Sequence, residues 1–150
     1  MATPDEIRAT ARARAKQMGL PYEGALLPEE AHELLQQAAS AKLVDVRSRA
    51  EWDYVGRIPG AVEIEWRSYP GMVPNLKFGE QLQQEVASES PAMFICRSGA
   101  RSHETAVLAK QLGYKEVYNV LQGFEGDRDP QGHRNTVGGW RAAGLPWLQS

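Results

Sequence analysis

The chain has little cysteine: of its 150 residues only one, Cys96, is a cysteine. A lone cysteine cannot form an internal disulfide, so a scaffold held together by disulfides is excluded and a reducing cytoplasm is the expected compartment. Histidine is also scarce, and His32, His103 and His133 are scattered, without a second thiol nearby. Because metal sites need several such ligands at close spacing, we expect neither a metal nor an organic cofactor.

Long apolar runs and an excess of one charge are missing as well. No apolar stretch is long enough to cross a bilayer, so a membrane partner is not expected. The 17 Lys and Arg residues against 19 Asp and Glu give a formal net charge of -2. No basic surplus favours nucleic acid, and any attraction for an anion must be local. The 150 residues, 42% of them hydrophobic, suit one soluble domain with a single core.

A helix is predicted at the N-terminus. Thr3 and Glu6 have the spacing of a capping box, and Pro4 suits the first helical turn. Acidic residues among the basic ones, and the lack of a following apolar core, count against a targeting peptide. We therefore divide the chain into a helical extension over residues 1–20 and a main domain over residues 21–150.

Short apolar segments alternate with helix-like sequence along the main domain. The predicted strands cover residues 43–46, 61–64, 92–95 and 117–120. Helices are predicted after Pro28, after a Ser48 cap, over residues 79–87 and from the segment after Cys96 to Leu112. This alternation predicts an α/β fold with a mostly parallel central sheet flanked by helices. Sites in such folds lie beyond the C-terminal ends of the strands, which is where Cys96 falls.

The C-terminal part of the chain is less regular. Residues 122–139 are rich in Gly, Asp and Arg and show no periodicity. A loop of this length is either the lid or rim of a site or a surface excursion, and the sequence leaves both interpretations open. Residues 140–147 are predicted to form a closing helix and turn that packs back on the sheet.

The run CRSGARS, which starts at Cys96, carries the main functional signal. A thiol between a strand and a helix N-terminus lies where backbone N–H groups converge, and this setting favours the thiolate. Small residues let the loop curl, while two arginines add positive charge that favours a thiolate and attracts an anion. The pattern predicts a cysteine nucleophile or sulfur carrier, with Cys96 packed as a small hydrophobe as the alternative. The predicted anion cradle consists of Arg97, Ser98, Gly99, Ala100, Arg101 and Ser102.

Together with other motifs, this loop resembles the rhodanese (thiosulfate sulfurtransferase) family. The further motifs are LVDVR at residues 43–47 with EW at 51–52, GRIPGA at 56–61, LGY at 112–114 and VYNVLQG at 117–123. The ordered set is specific, and the tail is similar to that of bacterial single-domain members. The resemblance covers residues 24–147 and implies the rhodanese-like three-layer fold. One departure is Arg57, where the family usually has a histidine.

The resemblance implies a two-step sulfur transfer. The Cys96 thiolate attacks the outer sulfur of thiosulfate or a related persulfide donor, which leaves a cysteine persulfide. A thiol, a sulfur-carrier protein or cyanide then accepts the sulfur. The implied partners are thus a small anionic sulfur donor and a thiol acceptor. Asp45 and Arg47, at the end of a neighbouring strand, are expected to support the loop, or else to be structural, with Arg47 pairing with Glu51.

Two other functions remain open on the sequence. The chain could be a persulfide carrier or regulatory module that acts on a protein partner. It could also be a cysteine phosphatase or arsenate reductase, although those enzymes use C-x-x-x-x-x-R. The spacing from Cys96 to Arg101 is one residue shorter, which suits a single sulfur better than a phosphate.

Overall fold

The computed structural model describes residues 2–149 and consists of a parallel sheet between helices. The helices are α1 (Pro4–Met18), α2 (Pro28–Gln37), α3 (Arg49–Tyr54), α4 (Phe78–Glu85) and α5 (Ala100–Gln111). The strands are β1 (Gly24–Leu26), β2 (Lys42–Asp45), β3 (Val62–Glu63), β4 (Arg67–Ser68), β5 (Val73–Pro74), β6 (Ala92–Ile95) and β7 (Val117–Val120).

The central sheet has five strands in the order β1-β7-β6-β2-β3, and all neighbouring pairs are parallel. The strand β6, which leads into Cys96, lies in the middle and is buried along its whole length. Continuous apolar strands of this kind are typical of parallel sheets that are covered on both faces. The predicted α/β fold with a mostly parallel sheet is confirmed.

Each face of the sheet has its own core. Leu43 and Met93 pack with α1 and α2 on one face, whereas Val44 and Phe94 pack with α4 and α5 on the other. Successive residues of a strand point to opposite faces, so the short strands contribute to both cores at once. The result is a three-layer arrangement with the sheet in the middle.

The N-terminal helix forms as predicted, with the Thr3–Glu6 capping box in place. Its buried face packs on β1, and the approach is close because β1 begins with Gly24. A Cβ on Gly24 would lie 2.8 Å from the Cβ of Ala11 and 2.6 Å from the Tyr118 ring. The helix therefore shares a core with the sheet, while the division at residue 20 stays a prediction.

Most predicted elements are confirmed with small shifts, but one helix is wrong. The strands at 92–95 and 117–120 match β6 and β7, and Ser48 caps α3 as predicted. Residues 140–144 form turns rather than a helix and residues 145–147 have no regular structure, because Gly144, with a φ of 75°, and Pro146 leave too few residues for a helix. The predicted packing holds, because the Trp140 side chain is buried in the core.

Candidate active site

Cys96 lies directly after β6, at the C-terminal edge of the sheet. The residue is only 1% exposed, and the chain curls around its sulfur so that the Gly99 N–H donates to Sγ over 3.1 Å. Gly99 has a φ of 115°, which side-chain-bearing residues rarely adopt, so the curl depends on glycine at this position. The predicted tight loop is present.

The first turn of α5 follows the loop and leaves several N–H groups without an acceptor. The N–H of His103 is the first to bond back, to the Gly99 carbonyl over 3.1 Å. Within residues 2–149, the N–H groups of Ala100, Arg101 and Ser102 donate to no acceptor. The N-terminus of a helix also carries a partial positive charge. The arrangement can therefore bind an anion beside the Cys96 sulfur.

Arg101 is held by a carboxylate on α3 instead of pointing freely into the loop. Its Nη1 and Nη2 donate to Oε1 and Oε2 of Glu51 over 2.7 and 2.9 Å. The S-R-A-E sequence of the α3 cap fixes that carboxylate, because Ser48 N and Oγ each donate to Glu51 Oε1 over 3.0 Å. Glu51 is therefore the partner of Arg101, and the alternative that paired it with Arg47 is wrong.

Burial and pairing act in opposite directions on this ion pair. Burial tends to raise the pKa of the Glu51 carboxyl, but hydrogen bonds and the charge of Arg101, with help from Ser48, outweigh it and hold the pKa at about 2. Burial tends to lower the pKa of Arg101, whereas Glu51 and, more weakly, Cys96 raise it. Both groups are therefore charged at neutral pH.

Asp45 and Arg47 form a second, fully buried ion pair with each other. Arg47 Nη2 donates to Asp45 Oδ2 over 2.7 Å and to the Gly56 carbonyl over 2.8 Å. The guanidinium also stacks on Phe124, 4.1 Å from the ring centroid. The Phe124 N–H in turn donates to the Cys96 carbonyl over 2.8 Å. The pair thus reaches the cysteine loop through Phe124 and not by direct contact.

The irregular segment over residues 122–139 divides into two parts. Its beginning backs the cysteine loop: the Phe124 and Glu125 N–H groups donate to the carbonyls of Cys96 and Arg97 over 2.8 and 2.9 Å. Gly123 fits so closely that a Cβ there would lie 2.5 Å from the Cys96 carbonyl oxygen. The later part, around residues 127–133, is largely exposed. The first part of the segment therefore fits the interpretation as a rim of the site, and the second part fits the interpretation as a surface excursion.

Comparison with known proteins assigns the family. A family model described as a rhodanese-like domain matches residues 27–129. The chain belongs to the rhodanese-like family. An uncharacterised protein of Rickettsia rickettsii is 33% identical over 120 residues, which are 79% of this chain and 91% of that one.

Two further relatives are informative. The thiosulfate sulfurtransferase GlpE of Actinobacillus succinogenes is 31% identical over 121 residues, 81% of this chain and 86% of GlpE. The crystal structure of Rv0390 from M. tuberculosis is 41% identical, with a TM-score of 0.80, over 86% of this chain and 99% of that chain. The family supports sulfurtransferase chemistry in general. Within residues 2–149, no helix is both long and apolar enough to cross a membrane.

The departure from the rhodanese pattern at Arg57 has a local explanation. Arg57 Nη2 lies 3.0 Å from Asp53 Oδ1, and its Nε lies 3.3 Å from Glu63 Oε2. Its backbone also pairs with Leu148 in a short antiparallel bridge. Carboxylates therefore compensate the Arg57 charge, so it adds no free charge at the rim, while the backbone bridge holds Leu148 beside the turn that precedes β3.

Arg97 behaves differently from the other arginines of the rhodanese-like site. It is exposed, and its side chain makes no hydrogen bond or ion pair within the part of the chain that the structure describes. With Tyr54, Tyr69 and Arg134 it lines an open cleft of about 360 Å³ next to the loop. Tyr54 is 84% exposed. Arg97 therefore places an accessible positive charge beside the loop.

Asn119 is a site residue that the sequence interpretation did not single out. It lies on β7, is only 4% exposed, and contacts the loop through both ends of its amide. Ser102 Oγ donates to its Oδ1 over 2.6 Å, and its Nδ2 donates to the Gly99 carbonyl over 3.2 Å. The available signal was an amide in the middle of the apolar strand VYNV, because buried polar groups need partners.

Proposed function

We propose that this rhodanese-like protein is a sulfurtransferase that moves a sulfane sulfur from thiosulfate or a related persulfide donor to a thiol or cyanide acceptor. The observation that carries the proposal is the position of the Cys96 sulfur, inside a curled loop and beside the unpaired N–H groups that begin α5. Because the single cysteine cannot pair within the chain, a reducing compartment such as the cytoplasm suits this chemistry.

In the first step, the Cys96 thiolate attacks the outer sulfur of thiosulfate. The S–S bond of the donor breaks, sulfite leaves with the bonding electrons, and a persulfide remains on Cys96 with its charge on the terminal sulfur. The loop residues proposed to bind this charge, chiefly through their backbone N–H groups, are Arg97, Ser98, Gly99, Ala100, Arg101 and Ser102. By analogy with oxyanion holes, each well-placed N–H contributes roughly 2–4 kcal/mol to the transition state.

In the second step, an acceptor thiolate or cyanide attacks the terminal sulfur, and Cys96 leaves as the thiolate. Sulfur is passed on without any external oxidant or reductant, and the protein returns to its starting form. No separate general base is required when the nucleophile is already ionised. Asp45 and Arg47 support the loop from behind through Phe124, and so hold the geometry rather than touch the sulfur.

Intact-mass measurement tests the proposal directly. After treatment with thiosulfate, the protein should gain one sulfur atom, and cyanide should remove it with the formation of thiocyanate. The matched control is Cys96→Ser, which keeps the size of the side chain and should gain nothing while remaining folded. A wild-type protein that takes up no sulfur from thiosulfate or from a small persulfide would refute the proposal.

A protein acceptor is the second candidate, and the cleft beside Arg97 favours it. Tyr54 and Tyr69 expose their rings there, 84% and 56% respectively, which is more apolar surface than a small donor needs. A persulfide carrier would pass sulfur to a partner protein faster than to small thiols. Rates of transfer from the Cys96 persulfide to both kinds of acceptor separate the two candidates.

A further inference from the structure

The Cys96 sulfur lies next to a buried network of polar side chains, whose hydroxyl and amide groups have no part in the two transfer steps. Ser102 Oγ is 3.3 Å from Sγ and at the same time 2.6 Å from Asn119 Oδ1. Ser102 is completely buried and Asn119 nearly so. A buried polar group without a hydrogen-bond partner destabilises the protein, so it is important which acceptor in this network receives each proton.

The orientation of the Asn119 amide is set by its other neighbours. The Gly99 carbonyl can only accept, so the Asn119 nitrogen faces it over 3.2 Å and the amide oxygen faces Ser102. Burial raises the pKa of the nearby Tyr22 hydroxyl to about 12, and Asn119 partly opposes the rise. Tyr22 also hydrogen-bonds Nδ1 of His103 over 2.7 Å.

This orientation leaves Ser102 with one proton for two acceptors. While its hydroxyl donates to Asn119 Oδ1, a lone pair of Ser102 faces the sulfur. A protonated Cys96 can donate to that lone pair, but a thiolate cannot. If the hydroxyl turns to the thiolate instead, the buried Asn119 oxygen loses its donor. Asn119 and the ionised sulfur therefore compete for the same proton.

We propose that Asn119 is a positioning residue that sets the reactivity of Cys96 by holding the Ser102 proton away from the sulfur. The proposal rests on the role of Cys96 as nucleophile. Asn119 limits the stabilisation of the resting thiolate, which keeps the sulfur a stronger nucleophile once it is ionised. Its removal frees the Ser102 hydroxyl to donate to the thiolate, so more of the thiol is ionised at a given pH.

The charged groups around the sulfur remain in place when Asn119 is replaced. They come from the elements that pack against the loop: Arg101 on α5 paired with Glu51 on α3, the Asp45–Arg47 pair at the end of β2, exposed Arg97 in the loop itself, Glu125 in the segment that backs the loop, and His103 on α5 through Tyr22. If a change in the ionisation of Cys96 requires the Ser102 hydroxyl, that change therefore reports the hydrogen bond and not the electric field of these charged groups.

The test is the pH dependence of alkylation of Cys96 by iodoacetamide. Asn119→Leu keeps the volume and removes the acceptor, and the midpoint of the rate profile should fall by about one pH unit, the effect of one hydrogen bond to a charged atom. In a Ser102→Ala background, the same change should leave the midpoint where it was. Tyr22→Phe is the control for His103, because it removes the hydrogen bond between Tyr22 and His103. In this background, Asn119→Leu should still lower the midpoint of the rate profile.

Two further measurements keep the outcome decisive. Asn119→Ala should move the midpoint in the same direction if the leucine variant fails to fold. Ser102→Ala alone should not raise the midpoint, because the wild-type hydroxyl points to Asn119. A rise of a pH unit in Ser102→Ala, or an unchanged or raised midpoint in the Asn119 variants, would overturn the proposal. Alkylation needs no sulfur donor, so a failure of thiosulfate to load wild-type Cys96 would contradict the proposed function separately.

Discussion

Replacing Glu51 by glutamine should weaken the fold and remove part of its sensitivity to acid. The substitution keeps the shape of the side chain but removes the charge that faces Arg101. In the wild-type protein, both guanidinium nitrogens donate to the Glu51 oxygens over 2.7 and 2.9 Å. The variant leaves a largely buried arginine without its counter-charge, which is more damaging than the loss of an exposed pair.

The magnitude follows from the pKa of Glu51. A pKa of about 2 against the ordinary 4.5 corresponds to about 3 kcal/mol of stability at neutral pH. The two side chains are only 13% and 11% exposed, so screening by solvent reduces this value little. Because the folded-state pKa is the lower one, the stabilisation is complete above about pH 4.5 and is lost as the pH falls towards 2. About 2 kcal/mol should disappear between pH 7 and pH 3.

Urea unfolding at pH 7 and pH 3 measures both effects. Glu51→Gln should be less stable than wild type by about 3 kcal/mol at pH 7, and the difference should narrow to about 1 kcal/mol at pH 3. Glu89→Gln is the matched control, because Glu89 pairs with Lys115 over 2.9 Å but both side chains are 69% exposed. That variant should change little. Equal stability of Glu51→Gln and wild type at pH 7, or a difference that is the same at both pH values, would refute the reasoning.

Three other predictions concern the support and the mouth of the loop. Asp45→Ala should lower the free energy of unfolding by about 3–5 kcal/mol, measured in urea, because a buried guanidinium loses its partner. Gly123→Ala should slow sulfur transfer and lower the thermal midpoint more than Gly113→Ala does. Both glycines have a positive φ, but only a Cβ at residue 123 would meet the Cys96 carbonyl, so equal effects would contradict this. Arg97→Gln should raise KM for thiosulfate about fivefold with little change in kcat, and the effect should shrink at high salt; a kcat effect alone would argue against anion capture.

The sheet and the loop could be predicted from the sequence because their signals are local. The strands β6 and β7 are short apolar runs with clear ends, and the cap at Ser48 needs only the four residues S-R-A-E. The strand β1 was missed since it has only three residues and begins with a glycine. Residues 140–147 contain tryptophans at a spacing that also fits a helix, and only the glycine and proline positions rule it out.

The side-chain partners of the site could not be predicted, because they join elements that are distant in sequence. Glu51 and Arg101 are 50 residues apart, and Ser102 and Asn119 are 17 apart. Nothing in the local sequence distinguishes Arg47 from Arg101 as the partner of Glu51. The choice depends on which arginine the sheet order brings to the N-terminus of α3, and that order is a property of the whole fold.

Most of the positive charge near Cys96 is already neutralised within the protein. Arg101 is held by both oxygens of Glu51, and Arg47 is enclosed with Asp45. An arginine engaged in this way is poorly placed to close a ring around a tetrahedral oxyanion, which counts against phosphate-ester hydrolysis. The groups left for an anion are backbone N–H donors, which act over a few ångströms, and the cleft arginines Arg97 and Arg134, which act at longer range. Capture of an anionic donor and stabilisation of charge on sulfur therefore depend on different groups, and substitutions should be able to separate them.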